Sequence, residues 1–242
     1  MGCHTRIPIQ GVEPEKAGLV KDMFGRIAFV YDFLNHLLSF GLDYHWRDRL
    51  AGELEIEPSA RILDLATGTG DQVISLIKRF PSSRIWALDF AVAMLVRASR
   101  KLSEMKDQLL LIQAPIERLP FDDEFFSVVT ISFGLRNLAD LNEGLAQIKR
   151  VLRKGGKLAI LEFSIPHSRL IRGIYSFYLV HFLPAIGRLL SGERAYYYLR
   201  DSIMAFPSPC NLVFKIKQLG FRREKVYPLT FGIVHLYIFS KG

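Results

Sequence analysis

A chain of 242 residues, half of them hydrophobic and carrying a net charge of +8, is long enough to bury one α/β core. Two cysteines, Cys3 and Cys210, supply no disulfide framework, and the six histidines show no metal-ligand spacing; a cytoplasmic protein without a metal is the expectation. The basic balance admits nucleic acid or an anionic membrane surface as a partner, but Lys and Arg are scattered rather than clustered, so charge selects neither.

Residues 1–12 read as a disordered tail. They lack the apolar stretch of a signal peptide, and Arg6 stands where an acylation site requires Ser or Thr. From 13 to 54 the pattern is helical and apolar, broken at Ser39-Phe-Gly-Leu42. Lying ahead of the first strand, this segment is placed to form a lid.

The chain is organised around Arg61-Ile-Leu-Asp-Leu-Ala-Thr-Gly-Thr-Gly70. An apolar β-type run ends on Asp64, Gly68 and Gly70 follow, and Asp71 to Phe80 has helical spacing. Strand, glycine turn, helix opens a nucleotide-type site, because glycines let the backbone approach a ligand and helix-start N–H groups favour electron-rich atoms. A dinucleotide fingerprint wants a third small residue where Val73 stands, which weakens a NAD reading. Asp64-x-x-x-Gly68-x-Gly70 instead resembles motif I of class I methyltransferases, with Ala66 at the place of that family's first glycine. Asp89 closes the next β-run about 20 positions past Gly70, where an acid can accept ribose hydroxyls.

Strands at 84–89, 109–113, 126–132 and 157–163 alternate with helices at 71–80, 91–103 and 139–152, and Lys154-Gly-Gly156 reads as a turn. Such alternation predicts a doubly wound, parallel sheet with ligands beyond the carboxyl ends of its strands. Residues 165–206 break the alternation with an aromatic and aliphatic insert, interrupted by Arg172, His181, Pro184 and Arg188. It is no membrane span. It reads as a helical cap, or as the wall of a large apolar pocket resting on a bilayer. A helix at 208–219 and two strand-like runs at 221–227 and 232–239 finish the chain.

From about Lys21 to the C-terminus the sequence resembles the C-methyltransferases of menaquinone and ubiquinone biosynthesis. The resemblance is carried by Tyr31-Asp-Phe-Leu-Asn35, Ser39 and Trp46, by Ile131-Ser-Phe-Gly-Leu-Arg-Asn137, and by Arg150-Val-Leu-Arg-Lys-Gly-Gly156 through Glu162-Phe-Ser164. Tyr196-x-Tyr198-Leu199 and Leu229-Thr230 add to it. The chain departs from the family where Leu34 replaces Met, Asp43 replaces His and Arg153-Lys154 replaces Lys-Pro. The resemblance implies a seven-stranded, mostly parallel Rossmann-like sheet with an N-terminal helical segment and a helical insert after strand five. It implies S-adenosyl-L-methionine as cofactor, held by Asp64, Gly68, Thr69, Gly70, Asp89 and Ser132, and by Pro115-Ile116 at the adenine end. Pro115 departs from the polar residue usual there and has no N–H to offer.

The implied reaction joins a methyl group to a ring carbon of a polyprenylated quinol, an in-line displacement favoured by a dry pocket and by alignment worth about 7–11 kcal/mol. Arg136 with Asn137 is the first candidate for stabilising the phenolate, since arginine is too basic to take the proton itself. His181, Tyr196 and Tyr198 are the further candidates. Partners are then the quinol and, peripherally, a membrane surface. Two alternatives stand beside this reading: an RNA or other small-molecule methyltransferase on the same scaffold, and a cofactor-binding or membrane-tethering module without catalysis. An RNA site would interleave exposed aromatics with basic residues, whereas here the aromatics cluster with aliphatics.

Overall fold

The computed structural model describes residues 39–182 and 194–242. Seven strands make one sheet: β1 (Arg61–Leu65), β2 (Arg84–Asp89), β3 (Leu109–Gln113), β4 (Phe126–Ser132), β5 (Leu152–Phe163), β6 (Phe221–Leu229) and β7 (Val234–Lys241), in the order β3-β2-β1-β4-β5-β7-β6. The first five run parallel, and β7 lies antiparallel between β5 and β6. The strand order reverses beside β1, between β1 and β4, which is where ligands bind in doubly wound sheets.

Helices α1 (Leu42–Glu53), α2 (Asp71–Arg79), α3 (Val92–Lys101), α4 (Leu141–Val151), α5 (Arg169–Phe177), α6 (Arg194–Ala205) and α7 (Pro209–Gln218) surround the sheet. Every residue of β4 is buried, as expected of a strand with helices on both faces. Alternation along β1 separates two cores. Ile62 packs with Trp46 and Leu50 of α1 and with Val73 and Leu76 of α2. Leu63 and Leu65 pack with Leu145 and Ile148 of α4 and with Leu212 and Ile216 of α7.

Two of the boundaries that differ from the sequence reading have a visible cause. The Lys154-Gly-Gly156 turn lies inside β5 as an irregularity: Phe126 pairs with Leu152, then Val128 with Lys157, around Gly155 at φ 69°. Helix α4 starts at Leu141 because the Asp140 carboxylate accepts the backbone N–H groups of Asn142 (2.8 Å) and Glu143 (3.1 Å), a side-chain cap.

The expected 1–12 tail, most of the N-terminal lid and Tyr31 to Asn35 lie outside the described residues. Within them, the break at 39–42 is present, with Gly41 at φ 74° leading into α1. Among the described residues, the insert contains α5, a π-helical turn (Tyr178–Phe182) and α6. Tyr175, Leu179 and Ile203 form its small core, packed against Phe163, Ile165 and Ile233. The turn between β6 and β7 is pinned from far away: the Trp46 indole N–H donates to Thr230 Oγ1 at 2.9 Å. Two stretches singled out in the sequence thus meet across the fold.

Candidate active site

The glycine turn leaves β1 by placing Ala66, Gly68 and Gly70 at φ 50°, 57° and 94°. Gly70 is required by close approach, since a Cβ there would lie 2.5 Å from Leu102 Cδ1. At Gly68 the reverse holds: a Cβ would meet nothing within 4 Å, so the backbone edge fronts an open cleft. No side chain caps the N-terminus of α2 that follows.

Asp89, at the tip of β2, accepts the Gly68 N–H at Oδ2 (2.8 Å) and the Ala91 N–H at Oδ1 (2.9 Å). Burial raises its carboxyl above the usual range, while those backbone N–H groups oppose the shift. The Phe90 backbone N–H bears on the same carboxylate, which still leaves acceptor capacity for a further donor. Asp64 is wholly buried and serves the fold instead. Its oxygens accept the hydroxyls of Thr67 and Thr130, both at 2.7 Å, so it straps the turn to β4. Burial pushes its carboxyl up to about 6.

A cleft of about 130 Å³ opens at these strand ends, walled in part by Gly68, Asp89, Pro115, Ile116, Ser132 and Asn137. Six of the residues proposed from sequence therefore share one wall. Thr69 and Gly70 are buried, and neither they nor Asp64 belong to this lining. The Ser132 hydroxyl donates to Gln72 Oε1 at 2.8 Å, leaving its oxygen as an acceptor. The cleft suits S-adenosyl-L-methionine: a bare backbone edge at Gly68, an acid with spare lone pairs, and apolar Pro115 and Ile116 for a flat ring.

Beyond Ser132 the chain turns through Phe133, at φ 59°, into a short 3₁₀ turn holding Arg136 and Asn137. One guanidinium nitrogen of Arg136 donates to Glu162 Oε1 (2.6 Å) and to the Phe133 carbonyl (2.5 Å). The Arg136 backbone N–H reaches Glu162 Oε2 at 3.2 Å. The guanidinium also stands 5.3 Å from the centre of the Phe163 ring. Trp46, Phe133 and Phe163 bring their rings together at 6.0, 6.3 and 4.6 Å.

Asn137 Oδ1 accepts the Tyr198 hydroxyl of α6 at 3.1 Å. The structure so joins Arg136, Asn137 and Tyr198. It does not bring His181 to them: that ring is exposed and sits 4.8 Å from Phe177. The side chain of Tyr196 is outside the described residues. Burial raises the Tyr198 hydroxyl's pKa, and the nearby Arg136 charge works against the shift.

Sequence reasoning gave no role to two groups here. Glu162, legible as a strand-end acid, lies one residue before the end of β5, as Asp64 does in β1. Tyr175, buried within the fields of Arg136 and Glu162, is one apolar-looking residue among many in the insert and gave no signal. Among the described residues no group of three His, Cys, Asp or Glu is placed to hold a metal ion.

Comparison with known proteins completes the picture. The model of the ubiE/COQ5 methyltransferase family matches residues 10–241. The chain is 42% identical over 231 residues to the ubiquinone/menaquinone biosynthesis C-methyltransferase UbiE of Geobacter sulfurreducens, covering 94% of this chain and 90% of that one. It is 40% identical to the demethylmenaquinone methyltransferase of Deinococcus radiodurans over the full length of both. Among solved structures, a SAM-dependent methyltransferase from Aquifex aeolicus superposes with a TM-score of 0.58 at 15% identity, covering 94% of this chain and 97% of that one. The [4+2]-cyclase SpnF does so with 0.69 at 13%, covering 96% and 99%. At such identities these two likenesses speak for the fold alone.

Proposed function

Since the chain belongs to the ubiE/COQ5 methyltransferase family and is an S-adenosylmethionine-dependent C-methyltransferase of quinone biosynthesis, we propose that its acceptor is a polyprenylated quinol, methylated on a ring carbon in the cleft at the β1–β4 switch point. The observation that carries this reading is the common wall. Asp89, suited to ribose hydroxyls, and Asn137, tied to the aromatic insert, face the same cleft.

The cofactor supplies an electrophilic methyl group; the chain's residues hold and orient what reacts with it. Asp89 would hold the ribose hydroxyls with the acceptor capacity left by Gly68, Phe90 and Ala91. Pro115 and Ile116 flank the adenine, and the Ile116 N–H or the Pro115 carbonyl is the polar contact available there. Thr69, Gly70 and Asp64 shape the turn from behind. On the acceptor side, Trp46, Phe133 and Phe163 exclude water from a phenolate whose charge disappears as the new bond forms. Arg136 supplies positive charge beside the ring oxygen, tempered by Glu162, while Asn137 and Tyr198 orient the hydroxyl or a water on it. Tyr198 brings the inner side of α6 to the remaining wall.

A prenyl tail keeps the acceptor in a bilayer, so transfer takes place at a membrane surface. No helix among the described residues is long and apolar enough to cross a membrane. The test is methyl transfer to reduced demethylated naphthoquinol and benzoquinol, side by side with RNA. Product from a quinol alone supports the reading; product from RNA alone overturns it.

A further inference from the structure

Helix α5 carries apolar side chains on opposite sides. Tyr175, followed by Leu179 in the π-helical turn, faces inward onto Ile203 of α6. Leu170, Ile174 and Phe177 face the other way and are 72%, 62% and 65% exposed. Their spacing of four and then three residues makes one continuous stripe, where the outer side of a surface helix is ordinarily polar. Phe231, 80% exposed, stands next to Gly232, which comes up against Pro166 just ahead of the helix.

Charge narrows what can cover this face. Between Glu162 and Glu193 the sequence contains no acidic residue, while Arg169 and Arg172 fall within α5. Arg172 braces the start of the helix by donating to the carbonyls of Pro166 and His167, both at 3.0 Å; Arg169 is exposed beside the stripe. A second copy of a chain with net charge +8 would bring like charges together. An apolar stripe rimmed by bases and free of acids is instead the composition of a helix lying in a lipid interface.

We infer that α5 is the surface by which the protein rests on an anionic phospholipid bilayer, with Leu170, Ile174 and Phe177 at the acyl boundary and Arg169 at the phosphates. The inference rests in part on the prenylated acceptor assigned above. The insert joins the two places: α5 packs on α6, and Tyr198 of α6 reaches Asn137 in the cleft wall. The proposed bilayer face and the cleft wall are thus parts of one packed unit.

Flotation of the full chain with vesicles of phosphatidylcholine, alone or mixed with phosphatidylglycerol, tests the surface. The wild-type protein is expected to partition at least about tenfold more strongly onto the mixed vesicles. L170S/I174S/F177S is expected to lose about tenfold or more of that partitioning. The same variant should methylate a short-chain, water-soluble demethylated naphthoquinol at the wild-type rate, which shows that it is folded. Partitioning of the variant equal to wild type, or equal wild-type binding to both vesicles, overturns the inference. Concentration-dependent dimers that the variant abolishes, without vesicle binding, assign the stripe to a second copy and overturn it too. Vesicle binding without any transfer to the soluble quinol supports the surface and overturns the acceptor.

Discussion

The Arg136 guanidinium lies 2.6 Å from the Glu162 carboxylate, both side chains almost fully removed from solvent, and the same carboxylate receives the Arg136 backbone N–H. A charge held this way is positioned by the end of β5. Glu162→Gln leaves it buried and uncompensated, so unfolding in urea should show a loss of about 3–5 kcal/mol. Replacing both partners, Arg136→Met with Glu162→Leu, should recover most of that stability yet leave turnover about 100-fold or more below wild type. Wild-type turnover in the double variant would remove Arg136 from the chemistry.

Asp89 presents acceptors to two backbone donors and to the cleft. In Asp89→Asn the amide loses one acceptor and brings a donor up against an N–H. Calorimetry is expected to show cofactor affinity lower by about ten- to a hundredfold, with a smaller change in kcat at saturation. Unchanged affinity would place the ribose elsewhere.

Gly134 sits where a Cβ would come within 2.4 Å of the Ala66 Cβ and 3.2 Å of Ile131 Cγ1. Gly134→Ala should therefore push the glycine turn out of place, at about 1–3 kcal/mol, and weaken cofactor binding with it. Adding Ala66→Gly should restore both, which thermal melts with and without cofactor would show.

His235 is buried beside Ser164, whose Oγ lies 2.7 Å from its Nδ1, and burial first, then the charge of His167, depresses its pKa to about 4 from 6.5. A base depressed in the folded state contributes stability that is present above pH 6.5 and lost as pH falls toward 4. Allowing for solvent near the ring, the loss should be roughly 1–2 kcal/mol. Asp64 works in the opposite sense: its raised carboxyl relieves a burial cost as pH drops below about 6. Comparing urea midpoints of wild type and His235→Gln across this range isolates the histidine, and parallel curves would refute its role.

The parallel strands were legible in the sequence because each is a short apolar run punctuated by glycine, proline or an acid. The bounds of β2, β3 and β4 follow from that punctuation alone, while β1 runs one residue past Asp64 to Leu65. β5 was harder: Gly155 and Gly156 read as the turn before a strand at 157–163, yet Leu152 ahead of them already pairs with Phe126 of β4. The cofactor wall was legible through Gly68 and Asp89, a local spacing. The acceptor side depends on contacts between residues remote in the chain, Arg136 with Glu162 and Asn137 with Tyr198, and no periodicity reports those. His181 illustrates the converse. Its residue type suggested chemistry, but the helical phase of the insert turns it outward with Phe177.

The position of β7 has a consequence for synthesis. It follows the other six strands of the sheet in the sequence, yet it lies between β5 and β6 rather than at an edge. The hairpin it makes with β6 also carries Thr230, to which Trp46 is tied. A nascent chain thus emerges with its cofactor turn already translated but without the strand that seats the opposite wall, and the site is complete only after β7 has been made.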